Sequence, residues 1–124
     1  MVNPFSDQRV FMEACDQTAN GIRNEEQYSL YRDLIKEEVE ELNAAIKEND
    51  EVEQLDALID ILVVTIGAIH SMGADAEGAW QEVLKTNLAK IDSSTGKVIK
   101  REDGKVLKPQ GWEPPNLLPY IKAI

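Results

Sequence analysis

Acidic residues at helical spacing are the feature of this 124-residue chain most suited to chemistry. Glu38 and Glu41 stand three residues apart in one segment, and Asp56 and Asp60 stand four apart in the next. Because a helix turns by about 100° per residue, each spacing puts two carboxylates on one face. Carboxylates that converge without cations form a hard-oxygen site, which suits Mg²⁺ and, as a substitute, Mn²⁺.

The surroundings of the two aspartates argue against simple solvation. Residues 55–69 are apolar nearly all round, which predicts a helix that is buried on most sides. A lone buried carboxylate is costly unless it is protonated, paired or bound to a metal. No Lys or Arg occurs from 48 to 84, so a partner must come from elsewhere in the chain or be a metal. A purely structural interpretation, in which the acids pair with Arg32, Lys36 or C-terminal lysines, stays open.

Two predicted helices carry these carboxylates. The segment from about Asn24 to Lys47 has neither Gly nor Pro and is rich in Glu, Leu, Lys and Ala, which favours a long helix. Asn49-Asp50 begins the next helix, which runs to about Ser71 and stops at Met72-Gly73. An antiparallel pair joined by this short turn would place the glutamates opposite the aspartates.

The first of these helices has an apolar stripe formed by Ile35, Val39, Leu42 and Ile46. On a helical projection Glu38 lies inside the apolar arc and Glu41 at its border, whereas Glu37 and Glu40 point away from the stripe. A solvated acidic face would not place a glutamate among apolar neighbours. The position of Glu38 therefore favours a role beyond solubility.

Shorter elements surround this pair. Helices are predicted over about 5–18 and about 75–88, and alternating apolar residues predict a short hairpin within 97–107. The remaining tail contains four prolines and is expected to be irregular, packing on the body through Trp112 and Leu117.

The predicted fold is an all-α four-helix bundle that forms a single domain over residues 1–124. Its helical body spans about 5–88, and a basic tail with the short hairpin spans about 89–124. Within the body, Cys15 and Trp80 are expected in the core and His70 at the surface.

Charge restricts the class of partner. The net charge of −10 disfavours nucleic acid and anionic membrane as partners. Residues 1–84 carry a balance of −14 and residues 85–124 a balance of +4, which suits a metal-chelated polyanion, although the tail could equally neutralise the body. The longest apolar run, Leu55–Ile69, is 15 residues long and too short to span a bilayer. With no signal sequence and a single cysteine, a cytoplasmic location is expected.

Blocks of residues in this order resemble the MazG-like all-α NTP pyrophosphohydrolases, which include dimeric dUTPases, dCTP pyrophosphatases and phosphoribosyl-ATP pyrophosphohydrolase. The blocks on the two acidic helices are Glu37-Glu38-Val-Glu-Glu41-Leu42 and Asp56-Ala-Leu-Ile-Asp60-Ile-Leu with Gly67. The phosphoribosyl-ATP pyrophosphohydrolase-like branch also matches Gly73, Asn87-Leu-Ala-Lys90 and Asp103-Gly-Lys105-Val-Leu-Lys108-Pro-Gln-Gly-Trp112. Together the matches cover residues from about 30 to 116.

The resemblance implies roles for the acidic residues. Glu38 and Glu41 match the family's Glu-x-x-Glu metal ligands, and Asp60 matches the last residue of its Glu-x-x-Asp motif. Ala57 stands where the glutamate of that second motif belongs. Asp56 is the nearest replacement, while Glu53-Gln-Leu-Asp56 fits the motif literally and remains an alternative.

The reaction implied by the resemblance is Mg²⁺-dependent hydrolysis of a (deoxy)nucleoside triphosphate to a monophosphate and pyrophosphate, as nucleotide-pool housekeeping. Glu37 matches the position proposed to accept the proton of the attacking water, although it could equally be a solvent-facing residue. Binding of substrate is expected from Lys85, Asn87, Lys90, Lys105 and Lys108. A homodimer or a dimer of dimers is expected. The alternative is a catalytically silent helical module for assembly or regulation, which Ala57 favours.

Overall fold

The computed structural model describes residues 3–121 of the chain. In that range the elements are, in order, α1 (Pro4–Ala14), α2 (Glu25–Lys47), α3 (Glu51–Ser71), α4 (Ala76–Leu88), β1 (Ile91–Asp92), β2 (Lys97–Val98) and α5 (Leu118–Ile121). The prediction of an all-α bundle with a short hairpin and a largely irregular tail is confirmed.

Local side-chain caps explain where the four long helices begin. The side-chain oxygens of Asn3, Asn24, Asp50 and Asp75 each accept a hydrogen bond from a backbone N–H in the first turn of the following helix. Helix α3 ends at Ser71, two residues before Gly73, which adopts φ +76° in the left-handed region. Helix α1 ends at Ala14 rather than at about 18, because the chain turns at Asp16, where φ is 58°.

Helices α2 and α3 form the main antiparallel pair of the molecule. They approach closely where the Tyr31 ring lies on Gly67, since an added Cβ at Gly67 would be 2.2 Å from Tyr31 Cε1. The core beside this contact consists of Met12, Ala19, Tyr31, Val64 and Ala68. The C-terminal half of α3 is therefore covered by both α1 and α2.

The N-terminal half of α3 lacks such cover, so the prediction that residues 55–69 are buried on most sides is wrong for this half. Val52, Leu55, Ile59 and Leu62 are 78%, 63%, 50% and 58% exposed. Within residues 3–121 no single helix has the length and apolar composition of a membrane span; α3 and α4 meet those two criteria only as a pair, with a bend of 114° between them.

Three expectations about individual side chains are wrong. His70 is buried, and its Nε2 atom lies 2.8 Å from the Phe5 carbonyl oxygen. Trp80 is largely exposed, and the centroid of its ring lies 6.3 Å from that of the Phe5 ring. Cys15 is exposed because it follows directly on the end of α1.

The tail forms two successive turns. Strands β1 and β2 pair antiparallel, with Ile91 opposite Val98, which the sequence did not predict. The predicted hairpin follows, but it is reduced to one bridge between Lys100 and Val106.

The tail then returns along α4. The Trp112 indole N–H donates to the Thr86 carbonyl oxygen at 2.7 Å, and the Asp75 N–H donates to the Tyr120 carbonyl oxygen at 2.8 Å. Packing through Trp112 is thus confirmed. Leu117 is 38% exposed, so it is only partly covered.

Candidate active site

Helices α2 and α3 bring the four predicted ligand carboxylates into one electrostatic cluster. Glu41 is near enough to Glu38 to raise the pKa of Glu38, and Asp56 is near enough to Asp60 to raise the pKa of Asp60. The negative charges of Glu41, Asp60 and Asp56 all act on Glu38. The helical spacings seen in the sequence therefore place these side chains side by side.

Glu38 is the centre of this cluster. Its Oε2 atom is buried and has no hydrogen-bond partner among the residues described. Burial, contact with Glu41 and repulsion by Asp60 and Asp56 raise the pKa of Glu38 to about 7. An orphaned buried carboxylate oxygen is costly, and a bound cation would remove that cost.

Asp60 experiences the same environment from α3. Its pKa is raised, mainly by burial and then by the negative charges of Asp56 and Glu41. No Lys or Arg nitrogen in the described part of the chain lies within 4 Å of any of the four carboxylates. The four carboxylates therefore do not form ion pairs with Arg32, Lys36 or the described tail lysines, as the structural alternative required.

The carboxylates are a set of donors rather than a finished cage. Within residues 3–121 no group of three or more His, Cys, Asp or Glu side chains is already arranged to hold a metal ion. Glu41 and Asp56 are exposed, whereas Glu38 and Asp60 are half-buried. The donor type and the orphaned Glu38 oxygen both fit a hard divalent cation.

On α3, Ala57 stands where the family motif has a glutamate, and Asp56 and Glu53 are the acidic residues that could replace it. Ala57 is buried with only 4% exposure, so this position is filled by helix packing. Asp56, its neighbour, is exposed and raises the pKa of both Glu38 and Asp60. Glu53 is exposed one turn earlier and is not among the groups that shift those two pKa values. Glu37 is also exposed, four residues before Glu41 on α2.

The predicted substrate-binding residues lie on α4 and the tail. Lys85, Lys90 and Lys108 line an open cleft of about 1170 Å³ between these two segments. Asn87 accepts a hydrogen bond from Lys90 Nζ at 3.1 Å. Lys105 lies in the turn after Asp103, outside the residues that line this cleft. The structure thus forms two groups, an acidic one on α2 and α3 and a basic one around α4.

Sequence reasoning missed one residue that organises the basic group. Glu82 is paired with Lys85 at 3.1 Å and accepts the Asn116 backbone N–H at 2.8 Å, which lowers the pKa of Glu82. The spacing of Glu82 and Lys85 at i and i+3 on a helix was the local signal for this pair. The contact with Asn116 spans 34 residues and had no such signal.

The all-α fold, with opposed carboxylates on two antiparallel helices, is that of the MazG-like NTP pyrophosphohydrolase superfamily. The chain belongs to this superfamily, as the sequence resemblance indicated. The family model described as phosphoribosyl-ATP pyrophosphohydrolase matches residues 8–87, and the chain belongs to this family of pyrophosphohydrolases. No curated protein matches the chain significantly. The matched region contains all four carboxylates and ends at Asn87, before the tail lysines.

Proposed function

We propose that this protein is a divalent-metal-dependent pyrophosphohydrolase that converts a (deoxy)nucleoside triphosphate to a monophosphate and pyrophosphate. The observation that carries the proposal is the buried, unpartnered Oε2 atom of Glu38 between three further carboxylates. A purely structural acidic face would leave such an oxygen in water or pair it with a cation.

Each carboxylate has a role that follows from its exposure. The four carboxylates, those of Glu38, Glu41, Asp56 and Asp60, would hold Mg²⁺ or Mn²⁺. The half-buried Glu38 and Asp60 would be the inner donors, and the exposed Glu41 and Asp56 would bind the ion from the solvent side. When bound, such an ion polarises phosphate oxygens and lowers the pKa of water. Glu37 is exposed on the same helix and would accept the proton of the attacking water.

The basic residues would receive the phosphates. Lys85, Asn87, Lys90, Lys105 and Lys108 are proposed to neutralise or orient the pyrophosphate that leaves. The family description favours a second candidate substrate, phosphoribosyl-ATP, which has the same α–β phosphoanhydride bond and differs outside the triphosphate.

The exposed apolar residues on the N-terminal half of α3 support association of two chains. Val52, Leu55, Ile59 and Leu62 follow the 3-4-3 spacing of a helix-pairing seam and are all at least half exposed. Asp56 lies about 40° from Val52 around the helix, so a second copy seated on this seam would border the acidic site. We propose a homodimer, or a dimer of dimers, formed through this stripe. Ile59→Asp should yield monomers by light scattering, whereas Val10→Asp on α1 should leave the assembly intact.

A nucleotide panel tests the catalytic proposal. Eight common NTPs and dNTPs, and phosphoribosyl-ATP, are incubated with the full chain and Mg²⁺, Mn²⁺ or EDTA, and pyrophosphate is measured. We expect metal-dependent release that Glu38→Gln abolishes. Glu40→Gln is the matched control, because Glu40 is exposed and about 160° from Glu38 around α2. Absence of release from every nucleotide with either metal would favour a silent assembly module.

A further inference from the structure

The Trp112 ring gathers two lysines that are 18 residues apart in the chain. Lys90 Nζ lies 5.1 Å and Lys108 Nζ 5.0 Å from the centroid of this ring. Both ammonium groups are thus within cation–π range, and they are no more than about 10 Å apart. Two like charges near one aromatic ring repel each other, so binding of an anion would relieve this repulsion.

The ring itself is held by α4. Its indole N–H donates to the Thr86 carbonyl oxygen at 2.7 Å, and Thr86 is buried. Asn87 accepts a hydrogen bond from Lys90 Nζ at 3.1 Å, which favours this orientation of the lysine side chain. The basic pair is therefore positioned by contacts between the tail and α4.

The other charges of the cleft are compensated differently. Lys85 is neutralised by Glu82 at 3.1 Å, and Asp92 accepts hydrogen bonds from Ser94. The third acid of the lining, Glu113, is exposed. Among the residues described, no carboxylate lies within 4 Å of Lys90 or Lys108. These two lysines are the free positive charges of the lining.

We propose that Trp112 is a positioning residue that assembles Lys90 and Lys108 into a binding site for a diphosphate group. One ammonium group would contact each phosphate, and the indole would keep the pair together. Lys85 is paired with Glu82 and Lys105 lies outside the cleft, so neither belongs to this two-lysine site. The proposed function is used only to identify inorganic pyrophosphate as the natural form of this anion.

Binding of inorganic pyrophosphate to the full chain without divalent metal tests the proposal by calorimetry. We expect Lys90→Ala and Lys108→Ala each to weaken binding at least about tenfold, as loss of a charged contact requires. Lys97→Ala is the matched control, because Lys97 is exposed on β2 and outside the cleft. Adenosine monophosphate should bind at least about tenfold more weakly than pyrophosphate, since one phosphate cannot span both lysines.

Two Trp112 variants separate positioning from general stability. Trp112→Leu removes ring and hydrogen bond and should weaken pyrophosphate binding as strongly as Lys108→Ala, whereas Trp112→Phe keeps a ring and should fall between. In a Trp80→Phe background, Trp112 is the sole tryptophan, and pyrophosphate should change its fluorescence saturably. If the nucleotide reaction occurs, Trp112→Leu should raise KM more than it lowers kcat.

Pyrophosphate affinity that is unchanged in both lysine variants would overturn the inference, even if nucleotides are hydrolysed. Affinity that depends on Lys90 and Lys108 in a chain that hydrolyses no nucleotide would uphold the inference while refuting the proposed function. Should Trp112→Leu disturb the fold by circular dichroism, the two lysine variants decide the matter.

Discussion

Replacing Asp56 by Asn perturbs the acidic cluster at the position where this chain departs from its family. The change keeps the size of the side chain and removes one negative charge. Asp56 is exposed, and its charge acts on both Asp60 and Glu38. Glu53→Gln removes an equal charge one turn earlier, from an exposed residue that shifts neither pKa, and is the matched control.

The structure sets the expected magnitudes. Relief of repulsion at an exposed position should stabilise the metal-free protein by no more than about 1 kcal/mol. Loss of a direct ligand should lower kcat/KM by at least about 100-fold, or about 2.7 kcal/mol. If Mg²⁺ binds the unaltered site with a Kd of about 1 mM, about 10 mM Mg²⁺ stabilises the fold by about 1.4 kcal/mol. A Kd that is weakened about tenfold by Asp56→Asn reduces this stabilisation to about 0.4 kcal/mol.

Thermal melting with and without Mg²⁺, combined with steady-state kinetics, measures these quantities. A stabilisation of about 1.4 kcal/mol corresponds to roughly 4–8 °C in Tm for a chain of this size. The Asp56→Asn variant should lose most of that shift and most activity, and Glu53→Gln should keep both. The reverse pattern would show that Glu53 completes the motif. Loss in neither variant, with nucleotides still hydrolysed, would place the metal elsewhere.

Three further outcomes follow from burial and packing. The folded pKa of Glu38 is about 7, above its ordinary value of 4.5, so its contribution to stability is complete below about pH 4.5 and is lost as pH rises through about 7. Without metal, the Tm of the unaltered protein minus that of Glu38→Gln should therefore fall between about pH 5 and 8. The difference between the two proteins is measured because burial lowers the pKa of His70, and this makes stability rise with pH in both proteins. A Tm difference that does not change with pH would contradict the carboxylate cluster. Gly67→Ala should destabilise by about 1 kcal/mol or more in denaturant titrations, since the clash with Tyr31 outweighs a helix-propensity gain of about 1 kcal/mol, and a higher midpoint would refute that contact. Met12→Ala should cost about 2–5 kcal/mol in the same titration, because Met12 is fully buried, and a cost below about 1 kcal/mol would contradict its place in the core.

The acidic helices could be predicted from the sequence because their determinants are local. Caps such as Asn24 and Asp50 fix where α2 and α3 begin, and a short turn makes the two helices antiparallel neighbours. Once both helices are in place, spacing alone brings Glu38 near Asp60. The approach of these carboxylates thus follows from local features of α2, α3 and the turn between them.

Contacts between distant segments could not be predicted in this way. His70 and Trp80 exchanged their expected environments: the backbone at Phe5 packs against His70, whereas the Phe5 ring covers only part of Trp80. The grouping of Lys90 and Lys108 depends on the hydrogen bond from Trp112 to Thr86, two residues that are 26 positions apart in the chain. Periodicity carries no information about such returns of the backbone.

The position of bond cleavage tests the central claim most directly. Phosphorus NMR can follow a nucleoside triphosphate mixed with the full chain, Mg²⁺ and no other enzyme. We expect monophosphate and pyrophosphate to appear together in equal amounts, with no signal change when EDTA replaces Mg²⁺. Immediate appearance of diphosphate and orthophosphate would contradict cleavage between the α- and β-phosphates, and equal rates with EDTA would contradict the role of the carboxylates around Glu38 as metal ligands.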